Sequence, residues 1–289
     1  MKKIILFAIC TIVLLSCNRV ETLQQVESKQ VTFSDSIKVN YKTYGEGTQP
    51  IVFLHGFGCD LNAWQHQFKS FSKDYKMVFI DLPGYGQSDK PHVEYTLDFY
   101  AAAVKTVMDN EQIKKSIIVG HSLGTAVGRQ VIFNYPELVS KFVDVDGVYC
   151  FYPADSAMTA AYEGFAALFS GGNTKEVMIN FIKPLFTPQT PQSVKDYAMS
   201  IMPNTPQYIA GSTMHNLIQE KYWTNEKITV PSLIIAAKSS QIPPDYKDIM
   251  QNLYSNMQYE ELDSVGHFIM MEQPEMFNEM LNKFLSNNK

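Results

Sequence analysis

Short apolar runs alternate with segments of helical spacing through most of this 289-residue chain. Because these runs are continuous rather than alternating, they predict strands that are buried on both faces, as in a parallel sheet. They occupy residues 50–54, 76–80, 116–119, 141–146 and 230–237. Residues 31–34 and 37–44 alternate apolar and polar side chains instead, which predicts two antiparallel strands.

Amphipathic segments between the runs predict helices at residues 62–71, 95–110, 125–134 and 274–285, with Thr96 near the start of the second helix. Residues 257–262 are predicted as the last strand. Strands and helices that alternate in this way are typical of an α/β fold.

The apolar run at residues 116–119 ends in Gly-His-Ser-Leu-Gly, and a predicted helix follows. A Gly-x-Ser-x-Gly sequence between a buried strand and a helix predicts a sharp turn that presents a nucleophile, here Ser122. The strain of this turn explains Gly120 and Gly124, because side chains there would clash with the neighbouring strand and helix. The Leu123 N–H then lies at a helix N-terminus, where it can donate to an oxyanion. A purely structural turn is the alternative.

A second glycine-containing loop follows the predicted strand at residues 50–54 and reads His55-Gly56-Phe57-Gly58. Glycines after a central strand allow backbone N–H groups to face a substrate. The Phe57 N–H is therefore the expected second oxyanion donor. The alternative is a glycine turn that only reverses the chain.

The composition argues against several function classes. The chain carries 24 Lys and Arg against 29 Asp and Glu, a net charge of −5, and has no basic stripe, so a nucleic-acid partner is not expected. No spacing of Cys and His suggests a metal site. The Gly-x-Gly after residues 76–80 lacks the third glycine and the acidic residue of a dinucleotide site, so no cofactor is expected.

The N-terminus carries Lys2 and Lys3, then an apolar stretch at residues 4–15 that is short for a bilayer span. Its end, Leu-Leu-Ser-Cys, resembles a bacterial lipobox. The resemblance implies a signal peptide at residues 1–16, lipid on Cys17 and a polar tether at residues 17–29. An ordinary signal peptide or an N-terminal anchor are the alternatives. Lipidation would place the protein in a bacterial cell envelope, attached to a membrane, with its folded domain periplasmic or extracellular.

Three motifs together resemble the α/β-hydrolase superfamily. They are His55-Gly56-Phe57-Gly58, the Asp-Leu-Pro-Gly-Tyr-Gly-Gln-Ser of residues 81–88, and the Gly-His-Ser-Leu-Gly of residues 120–124. The resemblance covers residues 30–149 and 230–287. It implies an eight-stranded, mostly parallel sheet with helices on both faces and a Ser, acid, His triad in that chain order. His267, in Gly-His-Phe, is in the family's position for the general base.

Residues 150–225 interrupt the strand and helix alternation and are rich in Met, Phe and Tyr. They resemble the helical cap that many α/β-hydrolases insert after the sixth strand. The hydrolase core is then formed by residues 30–149 and 226–289. The apolar side chains of the cap either line a pocket over Ser122 or pack the cap onto the core.

The acid of the triad departs from the family pattern. The loop after the seventh strand usually carries Asp, but its expected position here holds Ser240. Asp146 ends the sixth strand, one β/α unit after Ser122, where some relatives such as certain haloalkane dehalogenases place the acid. Asp245 is the alternative acid, although it is also a candidate cap for the next helix. We favour Asp146; if it were only a turn residue, Asp144 beside it would be a separate core acid.

These features predict a serine hydrolase that cleaves an ester or similar acyl bond of a small apolar substrate through an acyl-enzyme. The alternatives are a hydrolase of another bond, such as a C–C bond, and a binding protein that no longer turns over. The sequence leaves the oligomeric state open.

An oxidising compartment permits a disulfide between Cys59 and Cys150. In the family's sheet order, however, the strand that precedes Ser122 lies between the strands that these cysteines follow. This order disfavours the disulfide.

Overall fold

The computed structural model describes residues 22–34, 36–238 and 245–286. Its centre is an eight-stranded sheet with the order β1-β2-β4-β3-β5-β6-β7-β8. The strands are β1 (Ser28–Phe33), β2 (Ile37–Tyr44), β3 (Gln49–Leu54), β4 (Tyr75–Ile80), β5 (Ser116–His121), β6 (Val139–Val145), β7 (Ser232–Ala237) and β8 (Met257–Leu262). β1 and β2 pair antiparallel, as do β2 and β4, and every later pairing is parallel. The predicted eight-stranded, mostly parallel sheet is confirmed.

The register of the parallel strands brings their carboxyl ends to one edge. Leu54 of β3 is opposite Gly120 of β5, and His121 of β5 is opposite Val145 of β6. Val145 in turn is opposite Ile235 of β7. The loops that follow these strands therefore share one side of the molecule, where sites of such sheets form.

The helices are α1 (Leu97–Asn110), α2 (Leu123–Asn134), α3 (Ser156–Leu168), α4 (Thr174–Ile182), α5 (Gln192–Ile201), α6 (Gln207–Leu217), α7 (Tyr246–Leu253), α8 (Ile269–Glu272) and α9 (Pro274–Ser286). α1 begins where the sequence predicts, since the Thr96 hydroxyl accepts a hydrogen bond from the Phe99 N–H at 3.0 Å. α3 to α6 lie between β6 and β7 in the chain and form the helical cap.

Helices cover both faces of the sheet. A Cβ added to Gly128 of α2 would lie 2.7 Å from the Phe142 ring, so α2 packs on the face of that residue. Lys141, the residue before it, donates from Nζ to the Leu285 carbonyl of α9 at 3.0 Å. Because successive residues of a strand point to opposite faces, α2 and α9 lie on opposite sides of β6.

The prediction of a helix at residues 62–71 is wrong. The structure forms one 3₁₀ turn, Leu61–Trp64, followed by further turns. The N–H groups of these turns donate to the carbonyl three residues back, as Gln67 does to Trp64 at 3.0 Å. An α-helix would use the carbonyl four residues back. Tertiary contacts favour this path, because the buried Gln67 side chain donates to the Met270 carbonyl at 3.1 Å.

The polar tether predicted for residues 17–29 extends too far. Leu23 is fully buried within a 3₁₀ turn, and β1 already begins at Ser28. The Lys42 ammonium fixes this segment by donating to the Leu23 and Gln24 carbonyls, at 2.9 Å each. Residues 1–21, which include the predicted signal peptide and Cys17, lie outside the described residues. Among the residues that are described, no helix has the length and apolar character needed to cross a bilayer.

Cys59 and Cys150 are both buried, and neither forms a disulfide. They follow β3 and β6, and β5 lies between these strands. This is the sheet order that disfavours the bridge.

A fully buried carboxylate lies at the end of β6. Asp144 accepts hydrogen bonds from the Tyr149 hydroxyl at 2.5 Å, the Tyr254 hydroxyl at 3.0 Å and the Gly147 N–H at 3.0 Å. Burial raises the pKa of Asp144 to about 6, although the tyrosine hydrogen bonds oppose the shift. Asp144 is thus a core acid whose partners tie β6 to the first residues after it and to the end of α7.

The raised pKa of Asp144 predicts a dependence of stability on pH. Its pKa rises from 3.8 to about 6 on folding, so between these pH values the folded protein retains a proton that the unfolded chain releases. The free energy of unfolding therefore falls as pH rises through this window, by about 3 kcal/mol from this group. Asp144→Asn cannot ionise, so its stability relative to the wild type should rise by most of that amount between about pH 4 and about pH 7. Urea unfolding at both pH values measures the difference.

The matched control is Asp248→Asn, which changes an exposed carboxyl on α7. Its stability relative to the wild type should be nearly the same at both pH values. A pH-independent difference for Asp144→Asn as well would contradict the raised pKa.

Candidate active site

The turn between β5 and α2 has the strained geometry expected of a nucleophile elbow. Ser122 has φ 52° and ψ −116°, a region that side chains rarely adopt. A Cβ added to Gly120 would lie 2.4 Å from the Gly124 carbonyl oxygen, and one added to Gly124 would lie 2.2 Å from the Leu54 carbonyl oxygen. Glycine is therefore required on both sides of Ser122, for the steric reason that the sequence indicates.

A histidine and a carboxylate form a close pair at the same edge of the sheet. His267 Nδ1 lies 2.6 Å from Asp146 Oδ2, with the two side chains 17% and 14% exposed. The other carboxylate oxygen, Oδ1, accepts from the Ala237 N–H at 2.8 Å, and the Asp146 N–H donates to the Ile235 carbonyl at 2.8 Å. Asp146 has a φ of 45° in this turn. The pairing fixes the imidazole through Nδ1 and leaves Nε2 for chemistry.

The other predicted acid does not make this contact. Asp245 is exposed and directly precedes α7, where its side chain forms no capping hydrogen bond. Ser240, at the family's usual position for the acid, lies outside the described residues. The structure thus brings His267 together with Asp146, as favoured from the sequence.

Two hydrogen bonds hold the backbone of His267. Its carbonyl accepts from His121 Nε2 at 2.9 Å, and its N–H donates to the Leu185 carbonyl of the cap at 2.9 Å. Burial lowers the pKa of His121 far below its ordinary value, helped by the neighbouring His267. His121 is therefore a neutral ring that donates from Nε2, and the histidine beside the nucleophile supports the second histidine.

Glu272 organises the loop that carries His267. This buried carboxylate accepts from the Gly266 N–H at 2.9 Å, the Phe268 N–H at 3.2 Å and the Thr190 hydroxyl of the cap at 2.7 Å. This role of Glu272 is not predicted from the sequence. The available signal was an acid directly after the apolar residues 268–271, since a buried charge needs such partners.

The loop after β3 presents the second predicted oxyanion donor. Among the described residues, neither the Phe57 N–H nor the Leu123 N–H has a hydrogen-bond acceptor. His55 shapes this loop, because its Nδ1 donates to the Gly56 carbonyl at 2.8 Å and its Nε2 accepts from the Leu82 N–H at 3.0 Å. Burial lowers the pKa of His55, so the ring is neutral and one nitrogen can accept.

Of the residues predicted for chemistry, Ser122, His267 and Phe57 line one small cavity of about 10 Å³ beneath the cap, whereas Asp146 and Leu123 are not among its lining residues. Its walls come from the loops after β3, β5 and β8 and from the cap, and they are formed by Gly56, Phe57, Cys59, His121, Ser122, Phe181, Leu185, Met202, His267 and Phe268. This volume is room for roughly one water molecule. Within residues 22–34, 36–238 and 245–286, no cluster of His, Cys, Asp and Glu is arranged to hold a metal ion.

The apolar residues of the cap divide between packing and the site. Phe169, Met178, Met202, Met214 and Trp223 are buried, whereas Met158 and Phe165 are exposed. Of the Met, Phe and Tyr residues of the cap, Phe181 and Met202 line the cavity at Ser122. Most of these side chains therefore pack the cap, and a few line the site.

Comparisons with known proteins find relatives over most of the chain. Karrikin insensitive 2 receptor CA of Petunia hybrida is 28% identical over 263 residues, which cover 82% of this chain and 92% of the relative. Epoxide hydrolase 4 of Mus musculus is 24% identical over 283 residues, which cover 88% of this chain and 78% of the relative.

Solved structures show the same fold. An esterase from Exiguobacterium antarcticum superposes with a TM-score of 0.78 at 20% identity, covering 90% of this chain and 99% of the esterase. A thermophilic esterase from Thermogutta terrifontis superposes with a TM-score of 0.79 at 17% identity, covering 91% and 99%. A family model described as the alpha/beta hydrolase fold matches residues 49–274. The chain belongs to the α/β-hydrolase family.

Proposed function

We propose that this protein is a serine hydrolase that cleaves an ester or similar acyl bond of a small apolar substrate. One observation carries the proposal. Ser122, on a strained turn, lines the same cavity as His267, whose Nδ1 lies 2.6 Å from Asp146. A nucleophile, a base and a carboxylate that orients the base are the parts that acyl transfer by a serine requires.

The proposed reaction has two steps. His267 Nε2 takes the proton of the Ser122 hydroxyl while the oxygen attacks the acyl carbon, and the Phe57 and Leu123 N–H groups stabilise the resulting oxyanion. His267 then gives the proton to the leaving alcohol, and an acyl-enzyme remains on Ser122. A water molecule, activated by His267, attacks this ester, and the acid leaves as Ser122 regains its proton.

A serine nucleophile favours acyl substrates over epoxides, although one relative is named an epoxide hydrolase. Attack of the Ser122 oxygen on an epoxide carbon would leave an ether on the enzyme. An ether has no carbonyl carbon for water to attack, so turnover would stop after one cycle. Attack on an ester leaves an ester, which the same groups can hydrolyse.

A receptor for a small molecule is the second candidate function, because one relative is named a karrikin insensitive receptor. A binding protein needs the cavity but not a reactive serine. The strained Ser122 turn and the close pairing of His267 and Asp146 favour turnover instead.

We also propose that Cys17 is lipidated and attaches the protein to a bacterial envelope membrane, with the folded domain periplasmic or extracellular. The support is the Leu-Leu-Ser-Cys sequence after a short apolar stretch with two preceding lysines. Five residues separate Cys17 from the buried Leu23 in the sequence.

Labelling with a fluorescent phosphonate tests the nucleophile. The wild type should react at Ser122, because an activated serine attacks the phosphorus as it attacks an acyl carbon. Ser122→Ala should lose labelling and nearly all hydrolysis of p-nitrophenyl acetate, with an unchanged circular dichroism spectrum. Ser200→Ala, which changes an exposed serine of the cap, should label like the wild type. A wild-type protein that takes no label would favour the receptor.

Two substitutions compare the candidate acids. Asp146→Asn should lower kcat by about 10³-fold to 10⁴-fold, because an amide at Nδ1 stabilises neither the needed tautomer nor the imidazolium. Asp245→Asn, at an exposed position, should lower kcat by less than about tenfold, an effect under ~1.4 kcal/mol. Steady-state kinetics with p-nitrophenyl acetate measures both. The reverse order of effects would assign the acid role to Asp245.

Metabolic labelling with palmitate tests the anchor. Expressed in a bacterium that processes lipoproteins, the wild type should carry the label and sediment with membranes, and Cys17→Ala should do neither. Cys59→Ala is the control and should be labelled like the wild type. Undiminished lipid labelling of Cys17→Ala would exclude the lipobox.

A further inference from the structure

An apolar groove crosses the outside of the cap between α3, α4 and the 3₁₀ turn Lys183–Leu185. Its volume is about 450 Å³, within the range of roughly 300 to 1,000 Å³ that is typical of ligand cavities. Its walls include Phe165, Leu168, Phe169, Val177, Phe181 and Leu185, with Asn180 as a polar side chain among them. The chemistry of this lining suits an aliphatic chain.

The groove is separated from the nucleophile by a single layer of side chains. Phe181 and Leu185 form part of the groove and also part of the small cavity at Ser122. The centroid of the Phe181 ring lies 5.6 Å from that of Phe169 in the groove and 6.0 Å from that of Phe57 in the loop after β3. Phe181 and Leu185 therefore form a wall that has the groove on one side and the cavity at Ser122 on the other.

The small cavity cannot hold the substrate that the proposed function requires. Its volume of about 10 Å³ leaves no room for an acyl chain beside Ser122. A second neighbouring cavity, of about 380 Å³, shares Cys59 with it but is lined by Lys42, Asp60 and Asp81. Its walls mix these charged side chains with apolar ones such as Leu61 and Ile201, whereas the lining of the groove has one polar side chain, Asn180. The apolar groove is the better place for the chain.

Of the two shared residues, Phe181 has the larger side chain, so rotation of its ring would open the wider path. The backbone at Leu185 is held, because its carbonyl accepts from the His267 N–H at 2.9 Å, so a path must open by side-chain rotation. Phe181 is half-buried and is held through ring contacts with Phe57, Phe165 and Phe169. We propose that the groove binds the aliphatic acyl chain of the substrate and that rotation of the Phe181 ring connects it to Ser122. This inference rests on the proposed acyl hydrolysis and adds the chemical class of the acyl group.

The exposure of the groove gives independent support. Leu168 is 55% exposed and Phe165 is 42% exposed, whereas most large apolar side chains among the described residues are buried. An aliphatic chain in the groove would cover both. Met158, on the same helix and 41% exposed, does not line the groove and offers a matched control.

Direct binding tests the groove without turnover. In the Ser122→Ala background, a dansyl-labelled undecanoic acid should bind with a fluorescence increase. Leu168→Gln should weaken this binding about fivefold to tenfold, because the chain loses an apolar contact. Met158→Gln should change it less than about twofold. Both side chains are at the surface, so both variants should fold. Equal effects of the two substitutions, or an absent fluorescence change, would overturn the inference.

Chain-length selectivity provides the second measurement. With Ser122 intact, Leu168→Gln should lower kcat/KM for p-nitrophenyl decanoate about fivefold to tenfold and leave p-nitrophenyl acetate within about twofold. Met158→Gln should leave both unchanged. If esters are hydrolysed but their relative rates do not respond to Leu168→Gln, the groove assignment fails and the proposed function stands. If the probe binds in the groove but no ester is hydrolysed, the proposed function fails instead.

Other occupants of the groove give different results. If a second copy covers it, Leu168→Gln should convert a dimer to a monomer in sedimentation equilibrium and leave probe binding unchanged. If a membrane surface covers it, Leu168→Gln should reduce binding to phosphatidylglycerol vesicles and again leave the soluble probe unaffected. Either result would overturn the acyl-chain assignment.

Discussion

The site depends on the parallel register of β3, β5, β6 and β7. This register places the loop with Phe57, the turn with Ser122 and the turn with Asp146 at the same edge of the sheet, although they are far apart in the chain. The backbone of each turn is anchored to a neighbouring strand end. The Ser122 N–H donates to the Val145 carbonyl at 3.1 Å, and the Asp146 N–H donates to the Ile235 carbonyl at 2.8 Å. A slip of one residue between β5 and β6 would separate the nucleophile from the acid that orients its base.

The parts of the site that depend on local chain geometry were predictable from the sequence. The elbow follows from two glycines around Ser122 between an apolar run and a helix, and the last strand has its predicted bounds, Met257–Leu262. The choice between Asp146 and Asp245 could be argued from the strand end, and the structure places Asp146 beside His267. The contacts of Glu272 and His121 could not be predicted, because each joins residues that only the folded chain brings together. The same reason explains the missing helix at residues 62–71, where a tertiary contact of Gln67 opposes a local pattern.

Buried acids recur as organisers of the loops around the site. Asp81 accepts from the Leu61 and Gln87 N–H groups at 2.8 Å each, and Glu272 does the same for the loop of His267. Burial raises the pKa of Asp81, while the hydrogen bonds from the Gln87 and Leu61 N–H groups oppose that shift. Such carboxylates fix irregular backbone by supplying acceptors that a loop cannot supply for itself. The rigid scaffold under the cavity thus combines apolar strands with a few well-paired charges.

The hydrogen bond from the His267 N–H to the Leu185 carbonyl has a consequence for how the cap of this protein can change. It makes the cap a structural partner of the base rather than a cover that is independent of it. The bond uses a backbone carbonyl, so almost any side chain can stand at position 185 without disturbing it. Exchange of cap side chains can therefore alter substrate choice, whereas exchange of the whole cap must preserve the chain path through this one carbonyl. In this protein, the path of the cap backbone at Leu185 is therefore tied to the position of His267.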